Sequence, residues 1–135
     1  MADKDEMILI VDDEPDMCWT LTHILKRMRC RTTSVEKGEH ALRLTSAQAF
    51  WLAFVDAKLP DMEGINLATR LRQAQPDLPV VLVSGYFYED DGKVQKWITD
   101  GTIYGFISKP FLHDEIRQMV HEVDARESGK GHGSI

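Results

Sequence analysis

Apolar residues in this chain fall in short unbroken blocks separated by stretches of helical spacing. Residues 7 to 11, Met-Ile-Leu-Ile-Val, form an apolar run that stops at acidic residues, which is how a strand buried on both faces reads. After Pro15, a residue suited to the first turn of a helix, apolar side chains recur at Met17, Leu21, Ile24, Leu25 and Met28 and gather on one helical face. Further strands are predicted at 31–35, 51–55, 79–84 and 103–107, which makes five in all. Helices are predicted near 38–46, 65–73 and 92–99, and a last one carries Leu112, Ile116, Met119, Val120 and Val123 in register. Strands alternating with helices require crossover connections, so the expected fold class is α/β: a doubly wound sandwich with a parallel sheet covered on both faces. The pattern is weakest over 86–101, where Glu89, Asp90, Asp91 and Gly92 interrupt it before Val94, Trp97 and Ile98 restore it. A mobile loop is expected there.

The chain has 135 residues, 43% of them hydrophobic, enough for one ordinary core and too few for two typical domains. Its apolar runs fall far short of the roughly 20 residues that cross a bilayer. The acidic start Met-Ala-Asp-Lys-Asp-Glu lacks the basic and apolar regions of a secretory signal, so a cytoplasmic protein is expected. Residues 1–6 read as an N-terminal extension and 7–126 as the domain. Residues 127–135, with three glycines and almost no apolar surface, read as a disordered tail or linker stub. Cys18 and Cys30 lack metal-type spacing and read as reduced thiols. The net charge of −6 argues against direct nucleic-acid contact, which needs a basic field. His23, His40, His113, His121 and His132 are scattered without metal spacing, and Trp19 and Trp51 fit core or half-buried packing.

In a parallel α/β sheet ligands bind outside the carboxyl ends of the strands, so the residues directly after each apolar run are informative. The first run ends in Asp12, Asp13 and Glu14, the third in Asp56, the fourth in Ser84 and Gly85, the fifth in Ser108, Lys109 and Pro110. A single such Asp usually caps the next helix, as Asp13 or Asp16 would. A whole set, each at the end of a separate strand, points instead to a site. Three carboxylates on one rim repel each other unless a cation lies between them. Magnesium suits carboxylate, carbonyl and water oxygens and leaves room for a phosphate. Asp56 is then the candidate nucleophile, forming an aspartyl-phosphate, with Ser84 and Lys109 holding phosphoryl oxygens.

The four motifs that carry this chemistry are Ile-Leu-Ile-Val-Asp12-Asp13-Glu14-Pro15, Val55-Asp56-Ala-Lys58-Leu-Pro60-Asp-Met-Glu-Gly64, Val-Leu-Val-Ser84-Gly85 and Gly105-Phe106-Ile-Ser-Lys109-Pro110-Phe111. In content and order the chain from about Met7 to Arg126 resembles the receiver domain of two-component response regulators, of the chemotaxis-regulator type. The resemblance implies a flavodoxin-like (βα)5 three-layer sandwich with strand order 2-1-3-4-5. It implies that Asp56 accepts a phosphoryl group from a sensor histidine kinase or a histidine phosphotransfer protein. Mg2+ would be held by Asp13, Asp56 and the Lys58 carbonyl, and by Asp12 mostly through water. It further implies a cis Lys109–Pro110 bond, whose penalty proline lowers, and a switch in which Ser84 moves toward the phosphoryl group while Phe106 swings inward. The partner face is expected around the fourth helix, fifth strand and fifth helix, with Trp97, Tyr104, Phe106 and Phe111. Trp97, Tyr104 and Phe106 are expected to form an exposed apolar patch there, suited to a partner, an output domain or a second copy.

Two departures from the family stand out. The stretch from Ser84 to Lys109 is a few residues longer than usual and acidic, within the segment that commonly contacts partners. Lys58 and Tyr86 each lie two residues beyond a site residue, where bulky side chains would shield the phosphoryl group from water.

Two rival functions remain open on sequence alone. A magnesium-dependent phosphatase with an aspartate nucleophile needs a second carboxylate two residues on, and Lys58 stands there. A receiver-shaped interaction module that never accepts phosphate would have a broken acceptor site, and this one is complete.

Overall fold

A computed structural model describes residues 7–85 and 91–133, with side chains as far as Arg126. Five strands and five helices alternate: β1 Met7–Val11, α1 Pro15–Arg27, β2 Arg31–Val35, α2 Gly38–Thr45, β3 Leu52–Asp56, α3 Gly64–Ala74, β4 Val80–Ser84, α4 Gly92–Thr99, β5 Gly105–Ser108 and α5 His113–Gly133. The strands are parallel in order β2-β1-β3-β4-β5. This is the predicted three-layer arrangement, and α4 spans the residues assigned to it from sequence. Residues 86–90, where a mobile loop was expected and where Tyr86 lies, fall outside the described residues.

Strand alternation divides the core in two. Ile8 and Ile10, Leu52 and Phe54, and Val81 and Val83 pack with Leu21, Ile24, Leu25, Ile116, Val120 and Val123 of α1 and α5. Their neighbours Leu9 and Val11, Ala53 and Val55, and Val80 and Leu82 pack with Ala41, Leu67, Leu71 and Val94 of α2, α3 and α4. Complete burial of such side chains contributes roughly 1.5–3 kcal/mol each, so the three central strands anchor the positions at their ends.

Three details differ from the sequence reading. Trp19 is 67% exposed, because it lies on the face of α1 opposite the buried stripe, and its ring stacks on His23 with centroids 4.9 Å apart. Leu112 is 72% exposed because α5 begins one residue later. Its N–H donates to Glu115 Oε2 at 2.8 Å, closing the first turn. The backbone of α5 continues past Arg126, where the sequence suggests a tail begins, to Gly133; that stretch has no apolar residue to dock.

Candidate functional site

The alternation that sorts the core also sets the site. Asp12 continues the side of β1 that carries Ile8 and Ile10, and Asp56 the side of β3 that carries Leu52 and Phe54. Lys109 continues the side of β5 that carries Ile107. All three therefore meet at one rim. Lys109 Nζ lies 3.2 Å from Asp12 Oδ2, 2.9 Å from Glu14 Oε1 and 3.6 Å from Asp56 Oδ1. The other Asp12 oxygen accepts the Glu14 N–H at 2.9 Å. Asp12, Asp13 and Asp56 each present a carboxylate oxygen, all within 4.8 Å of one another. Asp12 and Asp56 are buried while Asp13 is exposed, so the trio opens outward through Asp13. A cleft of about 490 Å³ lies over it, lined by Asp13, Glu14, Asp56, Lys58, Gly85 and Lys109 among others.

Buried like charges have a measurable consequence. Burial, followed by the Asp12 charge, pushes the Asp56 carboxyl up to about 6 against the opposing pull of Lys109. Asp12 is also raised, chiefly by burial. Burial draws the Lys109 ammonium down, yet its hydrogen bond to Glu14 and the charges of Asp12 and Asp56 outweigh this and its pKa is raised. Among the described residues one ammonium thus serves three carboxylates, which remain under-neutralised. Hard oxygen donors packed this closely, with one side open to solvent, form an acidic pocket of the kind that binds magnesium.

The loop after β3 is held tightly around Asp56. The Lys58 N–H donates to Asp56 Oδ1 at 3.4 Å, and Lys58 Nζ is drawn to Glu63 at 3.2 Å. Gly64 donates its N–H to the Ala57 carbonyl at 2.8 Å. A side chain at Gly64 would put its Cβ within 2.2 Å of the Asp56 carbonyl oxygen, so only glycine fits. From the same loop Asp61 reaches α2, where its carboxylate accepts the Gly38 and Glu39 N–H groups at 2.9 and 3.0 Å.

Not every expected residue faces the cleft. Ser84 is fully buried, and it is Gly85, just past the end of β4, that lines the opening. The Ser84 carbonyl accepts the Lys109 N–H at 2.9 Å, tying β4 to the lysine. The Lys109–Pro110 bond is cis. The expected exposed patch of Trp97, Tyr104 and Phe106 is absent. Phe106 is 6% exposed, and it packs with half-buried Trp97 on the α2, α3 and α4 side. Tyr104 and Phe111 pack on the other side, where Arg126 lies over the Tyr104 ring at 5.4 Å. Tyr104 precedes β5 and so escapes the strand's alternation, which would put residues 104 and 106 on one face. Two polar residues of this region, Glu14 and Asp61, were assigned no role from sequence.

Comparison with known proteins agrees with this geometry. The family model for the response regulator receiver domain matches residues 8–121. The chain is 32% identical over 112 residues to the response regulator protein PilR of Pseudomonas aeruginosa, covering 83% of this chain and 24% of PilR. It is therefore similar to about a quarter of that relative. A CheY-like receiver domain protein from Methanospirillum hungatei superposes with a TM-score of 0.81 at 25% identity, covering 92% of this chain and 98% of the other. The Thermotoga maritima response regulator TrrA, solved with Mg(2+)-BeF, superposes at 0.75 with 24% identity over 87% of this chain and 98% of TrrA. Among the described residues no helix is long and apolar enough to cross a membrane. Fold, strand-end chemistry and sequence match all lead to one assignment: this chain belongs to the response regulator receiver domains of two-component signalling.

Proposed function

We propose that the domain is a switch thrown by phosphorylation of Asp56. The observation that carries this reading is the buried Asp56 carboxylate at the floor of an open cleft, beside Asp12 and Asp13 and 3.6 Å from Lys109 Nζ. Mg2+ would be held by Asp12, Asp13, Asp56 and the Lys58 carbonyl, and when bound it offsets negative charge on the transferring phosphoryl group. The Asp56 carboxylate attacks phosphorus of a phosphohistidine on a sensor histidine kinase or histidine phosphotransfer protein. The new bond is O–P, the broken bond is N–P, and the imidazole leaves with the electron pair. Attack requires the ionised carboxylate, and above pH 6 Asp56 is mostly in that form. Lys109 then follows the charge from the carboxylate to the phosphoryl oxygens. The Mg(2+)-BeF complex of TrrA is the kind of state this reading assigns to the chain.

Phosphorylation would be read out where Ser84 and Phe106 adjoin α4, β5 and α5. Drawing Ser84 toward the phosphoryl group vacates space beside the buried Phe106, and the face around Trp97, Tyr104 and Phe111 adjusts to regulate a partner, an output domain or a second copy of the chain. The domain acts in the cytoplasm, a reducing setting in which Cys18 and Cys30 stay free thiols. It is regulatory rather than enzymatic, beyond taking up and losing its own phosphoryl group.

Incubation with acetyl phosphate and Mg2+, followed by intact mass measurement, tests the proposal. One added phosphoryl mass in the wild type and none in Asp56→Asn is the expected result. Repeated turnover of phosphate esters would favour the phosphatase alternative, and no uptake at all would favour the interaction module.

A further inference from the structure

Glu14 occupies the N-cap position of α1, where a short polar side chain normally accepts an N–H from the first turn. Its carboxylate makes no such bond. It turns instead into the cleft and takes Lys109 Nζ at 2.9 Å, the shortest of that ammonium's three carboxylate contacts among the described residues. The longest is to Asp56, at 3.6 Å. Glu14 is 61% exposed in its side chain and Lys109 15%, so this pair draws the ammonium toward the mouth of the cleft and away from the acceptor.

We infer that Glu14 is a positioning residue that competes with the phosphoryl group for Lys109 and so sets how strongly the site holds a phosphoryl group. The inference rests on the reading of Asp56 as the acceptor. A phosphoryl group on Asp56 gains the ammonium only by releasing it from Glu14, so part of that interaction is offset by the ion pair broken. Removing the Glu14 charge leaves Lys109 shared between Asp12 and Asp56, both on the acceptor side. Phosphoryl binding then strengthens. The pair is largely solvent-exposed at its Glu14 end, which keeps the effect modest, roughly two- to fivefold.

Beryllofluoride binding in saturating Mg2+, followed by calorimetry on the full chain, provides the test, with acetyl phosphate uptake measured in parallel. Glu14→Gln should bind beryllofluoride roughly two- to fivefold more tightly than the wild type and take up phosphoryl groups correspondingly faster. A Glu14→Gln variant with unchanged affinity overturns the inference while leaving the acceptor reading intact. Failure of the wild type itself to bind beryllofluoride overturns the acceptor reading, and this inference with it. Simple loss of a nearby negative charge would also favour an anion, and Lys109→Ala separates the two. In that background Glu14→Gln should produce no gain; a gain of the same size means that Glu14 acts on the anion directly and the competition for Lys109 is refuted.

Discussion

Asp61 closes the first turn of α2 from across the structure, its Oδ1 accepting the Gly38 N–H at 2.9 Å from a loop that also carries Lys58. The hydrogen bond from Glu39, which outweighs the opposing effect of burial, and the weaker one from Gly38 hold the Asp61 carboxyl below its ordinary pKa. A carboxylate with a depressed folded-state pKa stabilises the fold above its unfolded value near 4, and that contribution is lost as the pH falls through the folded value. Asp61→Ala removes a helix cap and should cost about 1 kcal/mol, seen as a melting temperature lower by a few degrees at pH 7. Asp61→Asn, which keeps an acceptor oxygen, should lose less. Equal melting of wild type and Asp61→Ala would show the cap to be idle.

Asp56 has the opposite sign. Its pKa is raised to about 6, chiefly by burial and then by Asp12, so the folded state holds the proton more tightly than the unfolded chain. The stabilisation is complete below the unfolded pKa near 4 and disappears as the pH climbs through about 6. In the absence of divalent metal, Asp56→Asn should therefore be more stable than wild type at pH 7.5, by an amount on the order of 1–3 kcal/mol, and near parity at pH 4. Urea denaturation in EDTA at the two pH values reads the difference directly.

Magnesium should act on the same imbalance. Binding only to the folded state raises stability by RT ln(1 + [L]/Kd), about 1.4 kcal/mol at ten times the dissociation constant. Asp13 is the exposed member of the trio, so Asp13→Asn should leave the metal-free fold nearly unchanged while weakening Mg2+ by about tenfold. A magnesium titration of the melting temperature in both proteins checks this. Identical titration curves would remove Asp13 from the metal set.

What the sequence conveyed and what it hid divide along the range of the interactions. Each strand end could be read locally, because a buried strand is an apolar run and its last residue faces the rim; Asp12, Asp56 and Lys109 were all found that way. Trp19 was also legible in principle. It lies two residues from both Met17 and Leu21, about 200° around the helix from each, and so on the wet face. Glu14 and Asp61 were not legible. The partner of Glu14 is 95 positions away and that of Asp61 is 23, and no periodicity encodes such pairs. The exposed apolar patch was misjudged for a related reason: Phe106 and Tyr104 are two positions apart in sequence, yet Tyr104 precedes β5 and the two pack into different layers.

Gly64 gives the sharpest test of how the loop supports Asp56. It begins α3, and its N–H is bound by the Ala57 carbonyl at 2.8 Å, which presses the helix start against the backbone of the acceptor residue. A Cβ there would lie 2.2 Å from the Asp56 carbonyl oxygen and 2.8 Å from the Ala57 Cα. Both obstacles are main chain, so no rotamer relieves them, and the strand or the helix must move. Gly64→Ala should cost about 1–3 kcal/mol or more, the range of severe overpacking. Any protein that still folds has shifted Asp56 relative to Asp12 and Asp13, so it should also bind Mg2+ more weakly. Gly92→Ala is the matched control, since a Cβ at that helix start meets nothing within 4 Å. If the two variants melt alike, the close approach of Gly64 to Asp56 is not a constraint on the fold.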